Sequence, residues 1–156
     1  MIGAIIQARC ESIRFPNKIL SEVNGLTLIE ILLKRVLKSK LIDTVIVATS
    51  SHISNQNLIK ILKKNKINYF VGDQNNVLDR YYKISKKYKL KSIVRLTGDN
   101  PLIDPEIIDR YIKKFKKLNL DYLSDTFIPT FPDGMDVEVF NFKSLNKIYH
   151  LRTNKY

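Results

Sequence analysis

At 156 residues, 44% hydrophobic and 27% charged, the chain has the size and composition of one soluble domain with a core of its own. Its single cysteine, Cys10, excludes an internal disulfide, every apolar run is broken before membrane-span length, and the start MIGAIIQAR lacks a basic leader, so a cytoplasmic protein with no membrane partner is expected. The formal net charge of +12 admits nucleic acid, an anionic membrane or an anionic small substrate, but the excess is mostly lysine in runs such as ILKKNKIN, ISKKYKLK and IKKFKKLN, on the wet faces of amphipathic helices.

In chain order, IGAIIQ reads as a buried strand. A helical face follows in Leu28, Ile29, Leu32, Leu33, Val36 and Leu37, opened by a T-x-x-E capping box from Thr27 and Glu30. TVIVATS is a second strand and INYFVG a third. Val77, Leu78, Tyr81, Tyr82, Ile84 and Tyr88 form the next helical face. SIVRLTG is a fourth strand, and Ile107, Ile108, Tyr111, Ile112 and Phe115 form a third helical face. Strands apolar on both sides that alternate with helices call for βαβ units and a mostly parallel sheet. The rhythm then changes: DYLSD is a short strand, FIPTFPDG a turn-rich loop, MDVEVF an alternating antiparallel strand, and FKSLNKIYHL a last helix starting near Lys143 or Ser144.

In such sheets ligands bind beyond the carboxyl ends of the strands, and three features fall there. The first is the loop R-x-x-S-x-R-x-P-x-K, which carries Arg9, Ser12, Arg14, Pro16 and Lys18. It lacks the glycines of a P-loop or dinucleotide fingerprint, and its residues alone suit a solvated loop and an anion grip equally. The second is LTGDNPLIDPE, where Asp99 ends a strand as a hard-metal ligand would, while Asp104 reads as the N-cap before Pro105. The third is FPDGMDVEVF: Asp133 precedes Gly134 in a tight turn, and Asp136 and Glu138 share one strand face, as a wet edge or as a pair for a second cation or a sugar. His52, His150 and Cys10 have no partner set for catalysis, although a basic loop could lower the thiol's pKa. No helix-turn-helix, zinc-finger or RNP-type signature supports a nucleic-acid partner.

Taken in order, IIQARCESIRFPNKIL, VIVATSS, NVLDRYYK, VRLTGDNPLIDPEIID and FPDGMDVEVF resemble the bacterial cytidylyltransferases of the spore-coat-polysaccharide type, relatives of CMP-sialic acid and CMP-KDO synthetases. The resemblance covers nearly the whole chain. It implies a three-layer α/β/α sandwich of the nucleotide-diphospho-sugar transferase type, which moves CMP from CTP to a sugar or sugar acid with Mg²⁺ as cofactor and releases pyrophosphate. By match to the motifs, Ala8, Arg9, Ser12, Arg14 and Lys18 would hold the triphosphate, with Arg9 and Lys18 acting on the leaving group. Asp99 would hold Mg²⁺. Ala48, Thr49, Ser50, Asp79 and Arg80 would line the cytidine side, and Asp133, Asp136 and Glu138 are the candidates for the acceptor. Glu11 and Ile13 depart from the family loop, and Glu11 suits a triphosphate only if it points away. Family members continue past the DVEVF strand, so residues 1–156 are expected to form a single domain that is incomplete at its C-terminus. An inactive nucleotide-binding remnant is the alternative to an enzyme, and a homodimer is left open.

Overall fold

A computed structural model describes residues 1–12, 15–126 and 131–153. A six-stranded sheet is built from β1 (Ile2–Gln7), β4 (Thr44–Ser50), β5 (Asn68–Gly72), β6 (Ser92–Thr97), β7 (Tyr122–Ser124) and β8 (Glu138–Asn141), with β2 (Glu22–Val23) and β3 (Leu26–Thr27) forming a separate small hairpin. The order across the large sheet is β5-β4-β1-β6-β8-β7. β1, β4, β5 and β6 are parallel, and β8 runs antiparallel to both β6 and β7. The chain works outward from β1 to β5, then crosses back to lay β6 on the other side of β1. The switch point therefore lies between β1 and β6, and a crevice opens at their carboxyl ends.

Helices cover both faces. α1 (Leu28–Val36), α2 (Gln56–Lys64) and α4 (Pro105–Lys117) pack on one side, and α3 (Val77–Lys87) and α5 (Phe142–Thr153) on the other. The strands serve two cores because their side chains alternate: Ala4, Ile6, Val45, Val47, Val94 and Leu96 face the first helix layer, and Ile5, Ile46, Ala48 and Ile93 face the second. The three-layer sandwich with a mostly parallel sheet is thus observed. Among the described residues no helix is long and apolar enough to cross a membrane.

Local chemistry sets the helix ends. Thr27 and Glu30 form the expected capping box on α1, and Asp104 caps α4 by accepting from the Glu106 amide at 2.7 Å, with Pro105 at the first helical position. α5 starts at Phe142, the first residue of the FKSLNKIYHL run, and Asn141 Oδ1 accepts from the Ser144 amide at 2.7 Å. The last strand is shorter than MDVEVF: it begins at Glu138 and leaves Asp136 outside it. α5 docks on α3 through Tyr82 and Tyr149, whose rings stack with centroids 3.8 Å apart.

Candidate active site

The loop after β1 leaves the sheet at the switch point and returns through a 3-10 turn at Lys18–Leu20. Its first residue is fixed by the sheet: the Ala8 amide donates to the Ala48 carbonyl at 3.0 Å. Across the crevice the Gly98 amide donates to the Gln7 carbonyl at 2.8 Å, so β1 and β6 stay zipped one residue past the last strand pair. A Cβ on Gly98 would sit 2.8 Å from Ala8 Cβ and 3.1 Å from both Ala8 Cα and the Gln7 carbonyl oxygen. Glycine at this position lets the two strand ends touch, and the next residue, Asp99, projects at the mouth of the crevice.

Lys18 Nζ lies 3.3 Å from Asp99 Oδ2, with both side chains substantially exposed. The fold therefore unites the first and second candidate features at one point. Arg9 is exposed on the same loop. Ser12 Oγ accepts from the Phe15 amide at 3.3 Å and shapes the turn. Arg14 and Ile13 lie outside the described residues. Asn17, beside Lys18, adopts a left-handed conformation (φ 58°) that asparagine tolerates.

The β4 side of the loop has a different character. The Cys10 amide donates to Asn55 Oδ1 at 2.9 Å, and Asn55 Nδ2 reaches both Ser50 Oγ and Glu11 Oε1 at 2.9 Å. Ser50 Oγ donates to Glu11 Oε1 at 2.8 Å. Glu11 thus turns toward the end of β4, where Ser50 and Asn55 hold its carboxylate. His52 Nδ1 lies 3.4 Å from the same oxygen and accepts from the Ser54 amide at 3.2 Å. Cys10 is buried, and burial first, then the neighbouring Glu11 charge, push its thiol up to about 11. This corrects the expectation that the basic loop lowers it: desolvation outweighs the neighbouring cations.

The remaining candidates are placed as follows. Ala48, Thr49 and Ser50 are buried at the end of β4, and Thr49 Oγ1 has no hydrogen-bond partner among the described residues. Asp79 receives Lys83 Nζ at 2.8 Å and the Tyr149 hydroxyl at 3.0 Å, so its carboxylate is engaged by α3 and α5. Arg80 is buried across Gly72 and donates to the carbonyls of Asp73 and Gln74, which fixes the β5–α3 connection. Glu138 is held by Arg95, its register partner on β6, and by the Tyr122 hydroxyl at 2.8 Å. It is not part of a free carboxylate pair with Asp136, which is exposed ahead of the strand. Asp133 is exposed beside Gly134, and a Cβ on Gly134 would lie 3.8 Å from Asn100 Oδ1, so this turn passes beside Asn100. His150 packs edge-on against Tyr82 and Tyr149.

Two polar residues important here escaped the motif reading. Asn55, the hub of the loop clasp, sits in HISNQN, which carries no motif. Arg95 lines a cleft of about 440 Å³ between α3, α5 and the sheet, together with Val77, Leu78, Tyr81, Phe140 and Leu145. That cleft lies on the α3 face, apart from the Lys18–Asp99 crevice.

Asp99 offers one half-exposed carboxylate here, the kind of oxygen donor that Mg²⁺ takes together with substrate phosphates and water, and it is the residue that would hold such an ion. No group of three or more His, Cys, Asp or Glu that could hold a metal alone occurs among the described residues.

The sequence matches the cytidylyltransferase family over residues 3–156. The chain belongs to that family. It is 37% identical over 141 residues to the spore coat polysaccharide biosynthesis protein SpsF of Bacillus subtilis, covering 88% of this chain and 58% of that protein. It is 32% identical over 119 residues to the 3-deoxy-manno-octulosonate cytidylyltransferase of Pelobacter propionicus, covering 72% of this chain and 43% of the other. The solved structure of a cytidylyltransferase from Leptospira borgpetersenii superimposes with a TM-score of 0.91 at 36% identity, covering 96% of this chain and 63% of that one. The cytidylyltransferase chain thus spans less than two thirds of the length of these relatives.

Proposed function

We propose that this cytidylyltransferase moves CMP from CTP to a sugar or sugar acid in cell-surface polysaccharide biosynthesis, releasing pyrophosphate. The observation that carries the reading is the meeting of Lys18 and Asp99 at the switch point, 3.3 Å apart. A spore-coat relative and a sugar-acid cytidylyltransferase relative support the acceptor class.

A hydroxyl oxygen of the acceptor attacks the α-phosphorus in line. The bond from that phosphorus to the bridging oxygen breaks, pyrophosphate leaves with the electron pair, and the hydroxyl proton passes to solvent. No side-chain nucleophile takes part, consistent with a protonated Cys10. Lys18 and Arg9 draw off charge that builds on the departing phosphates. Asp99 is the residue that would hold Mg²⁺, which when bound neutralises phosphate oxygens and polarises phosphorus. The reading places the protein in the cytoplasm, where CTP is made.

The test is incubation of the chain with CTP, Mg²⁺ and a panel of nonulosonic acids, KDO and phosphorylated sugars, with pyrophosphate followed. Release with at least one acceptor, lost in Asp99→Ala, is expected. CTP binding without release from any acceptor would reduce the reading to nucleotide binding alone.

A further inference from the structure

The segment that carries Asp99 is backed by a second turn. At the end of β6 the Asn100 amide donates to the Thr97 carbonyl at 3.2 Å, so Asp99 sits inside a closed four-residue turn. Further along the chain the Met135 amide donates to the Pro132 carbonyl at 3.2 Å. Gly134 takes the third position of that turn with φ 88°, where a type II turn needs glycine. A Cβ on Gly134 would lie 3.8 Å from Asn100 Oδ1 and 4.0 Å from its Cγ, which leaves room for no more than a methyl group between the two turns.

Asp125 holds the second turn in place. Ser124 and Glu138 are the last register pair of β7 and β8, and Asp125 and Val137 come next. There a side chain takes over from the strand ladder: both carboxylate oxygens of Asp125 accept from the Val137 amide, at 3.0 and 3.2 Å. Asp125 and Val137 are both buried. Phe131 anchors the near end of the same segment edge-on against Tyr111 of α4.

Stability is a poor account of this clamp. Burial pushes the Asp125 carboxyl above the usual carboxylate range, and the Asp136 and Glu138 charges add to that, against the pull of the Val137 amide. The ionised side chain thus gives back part of what its hydrogen bonds supply. What it does supply is a fixed place for Val137 and the turn before it. We infer that Asp125 is a positioning residue of the crevice: through the Val137 amide it sets the Pro132–Met135 turn against Asn100, and so fixes where Asp99 presents its carboxylate to a cation. The inference rests on the phosphate and metal site proposed above.

The test is calorimetric binding of CTP to the 156-residue chain, with Mg²⁺ and with EDTA in its place, for wild type, Asp125→Ala, Asp125→Asn and Gly134→Ala. The ratio of the two affinities reads the contribution of the metal, and a merely structural defect lowers both and leaves the ratio alone. Asp125→Ala is expected to lose about 10-fold of the wild-type ratio, as when a group that supports a metal ligand is removed. Asp125→Asn keeps an oxygen for the Val137 amide and is expected to restore most of it. Gly134→Ala strains the turn at its far end with Asp125 intact, and is expected to show the same loss. A wild-type ratio in Asp125→Ala overturns this inference alone, and so does a wild-type ratio in Gly134→Ala should Asp125→Ala fail to fold. A wild type that binds no CTP, or binds it equally with and without Mg²⁺, overturns the proposed site and the inference with it.

Discussion

Lys18 Nζ and Asp99 Oδ2 meet at 3.3 Å although they stand 81 residues apart in the chain, on the segments that follow the two strands flanking the switch point. With 38% and 50% of their side chains accessible, they form a solvated pair worth no more than about 1 kcal/mol to stability. Such a pair separates readily, so each partner can trade the other for a charged part of the substrate.

Lys18→Ala is therefore expected to leave the fold intact and to lower turnover by about 10²- to 10³-fold, the usual loss when one positioned charge is removed from a developing anion. Thermal denaturation measures the first effect and pyrophosphate release the second. An unchanged rate would remove the loop from the mechanism.

Gly98→Ala tests the crevice itself. The added methyl group would meet backbone atoms of Gln7 and Ala8 rather than the end of a flexible side chain. β1 and β6 must part at their carboxyl ends, breaking the Gly98–Gln7 hydrogen bond and shifting Asp99. A loss of about 1–3 kcal/mol is expected from overpacking in chemical denaturation, together with weaker nucleotide binding. Full stability with full binding would show that the strand ends tolerate separation.

The sheet was readable from the sequence because its signal is local: IGAIIQ, TVIVATS and SIVRLTG are apolar runs of strand length, and all three form central strands. The Lys18–Asp99 convergence was legible once strand order was granted, since both residues follow strand ends. The β2–β3 hairpin was missed although Asn24-Gly25, with φ 51° and 74°, is a two-residue turn signal. α2 was recognised only by its basic end, because its buried face is little more than Leu58 and Leu62. Side-chain partners were not legible. Glu138 looked free, but its carboxylate is committed to Arg95 by a cross-strand register that no local pattern encodes. The direction of Glu11 likewise depends on Asn55, 44 residues away.

Cys10 supplies a chemical check on burial in the loop. With its thiol pushed up to about 11 from an ordinary 9.0, it carries about a hundredfold less thiolate at neutral pH than a free cysteine. Native protein is expected to resist iodoacetamide near neutrality, with the labelling rate climbing about tenfold per pH increment of one until it levels near 11. Denatured protein should label at the rate of free cysteine. Rapid labelling of the native state at neutral pH would mean that the loop opens and exposes the thiol.

The ends of α2 and α3 allow stability to be adjusted away from the site. Lys66 (φ 55°) and Lys89 (φ 52°) adopt left-handed conformations directly after the helices. In each case the next residue's amide reaches back to a helix carbonyl, Ile67 to Leu62 and Leu90 to Ser85, both at 2.9 Å. These are Schellman caps, in which glycine is the usual occupant because a Cβ is strained in this conformation. Lys66→Gly and Lys89→Gly relieve that strain, and part of the gain is offset by the greater freedom of glycine in the unfolded chain. Each is expected to stabilise the protein by about 0.5–1 kcal/mol, and the two should add because the sites lie on different helices. Both positions sit at the amino-terminal edge of the sheet, opposite the crevice, so nucleotide binding should not change. A double variant that melts below the wild type would show that the lysine side chains contribute more through the helix dipole and packing than their backbone strain costs.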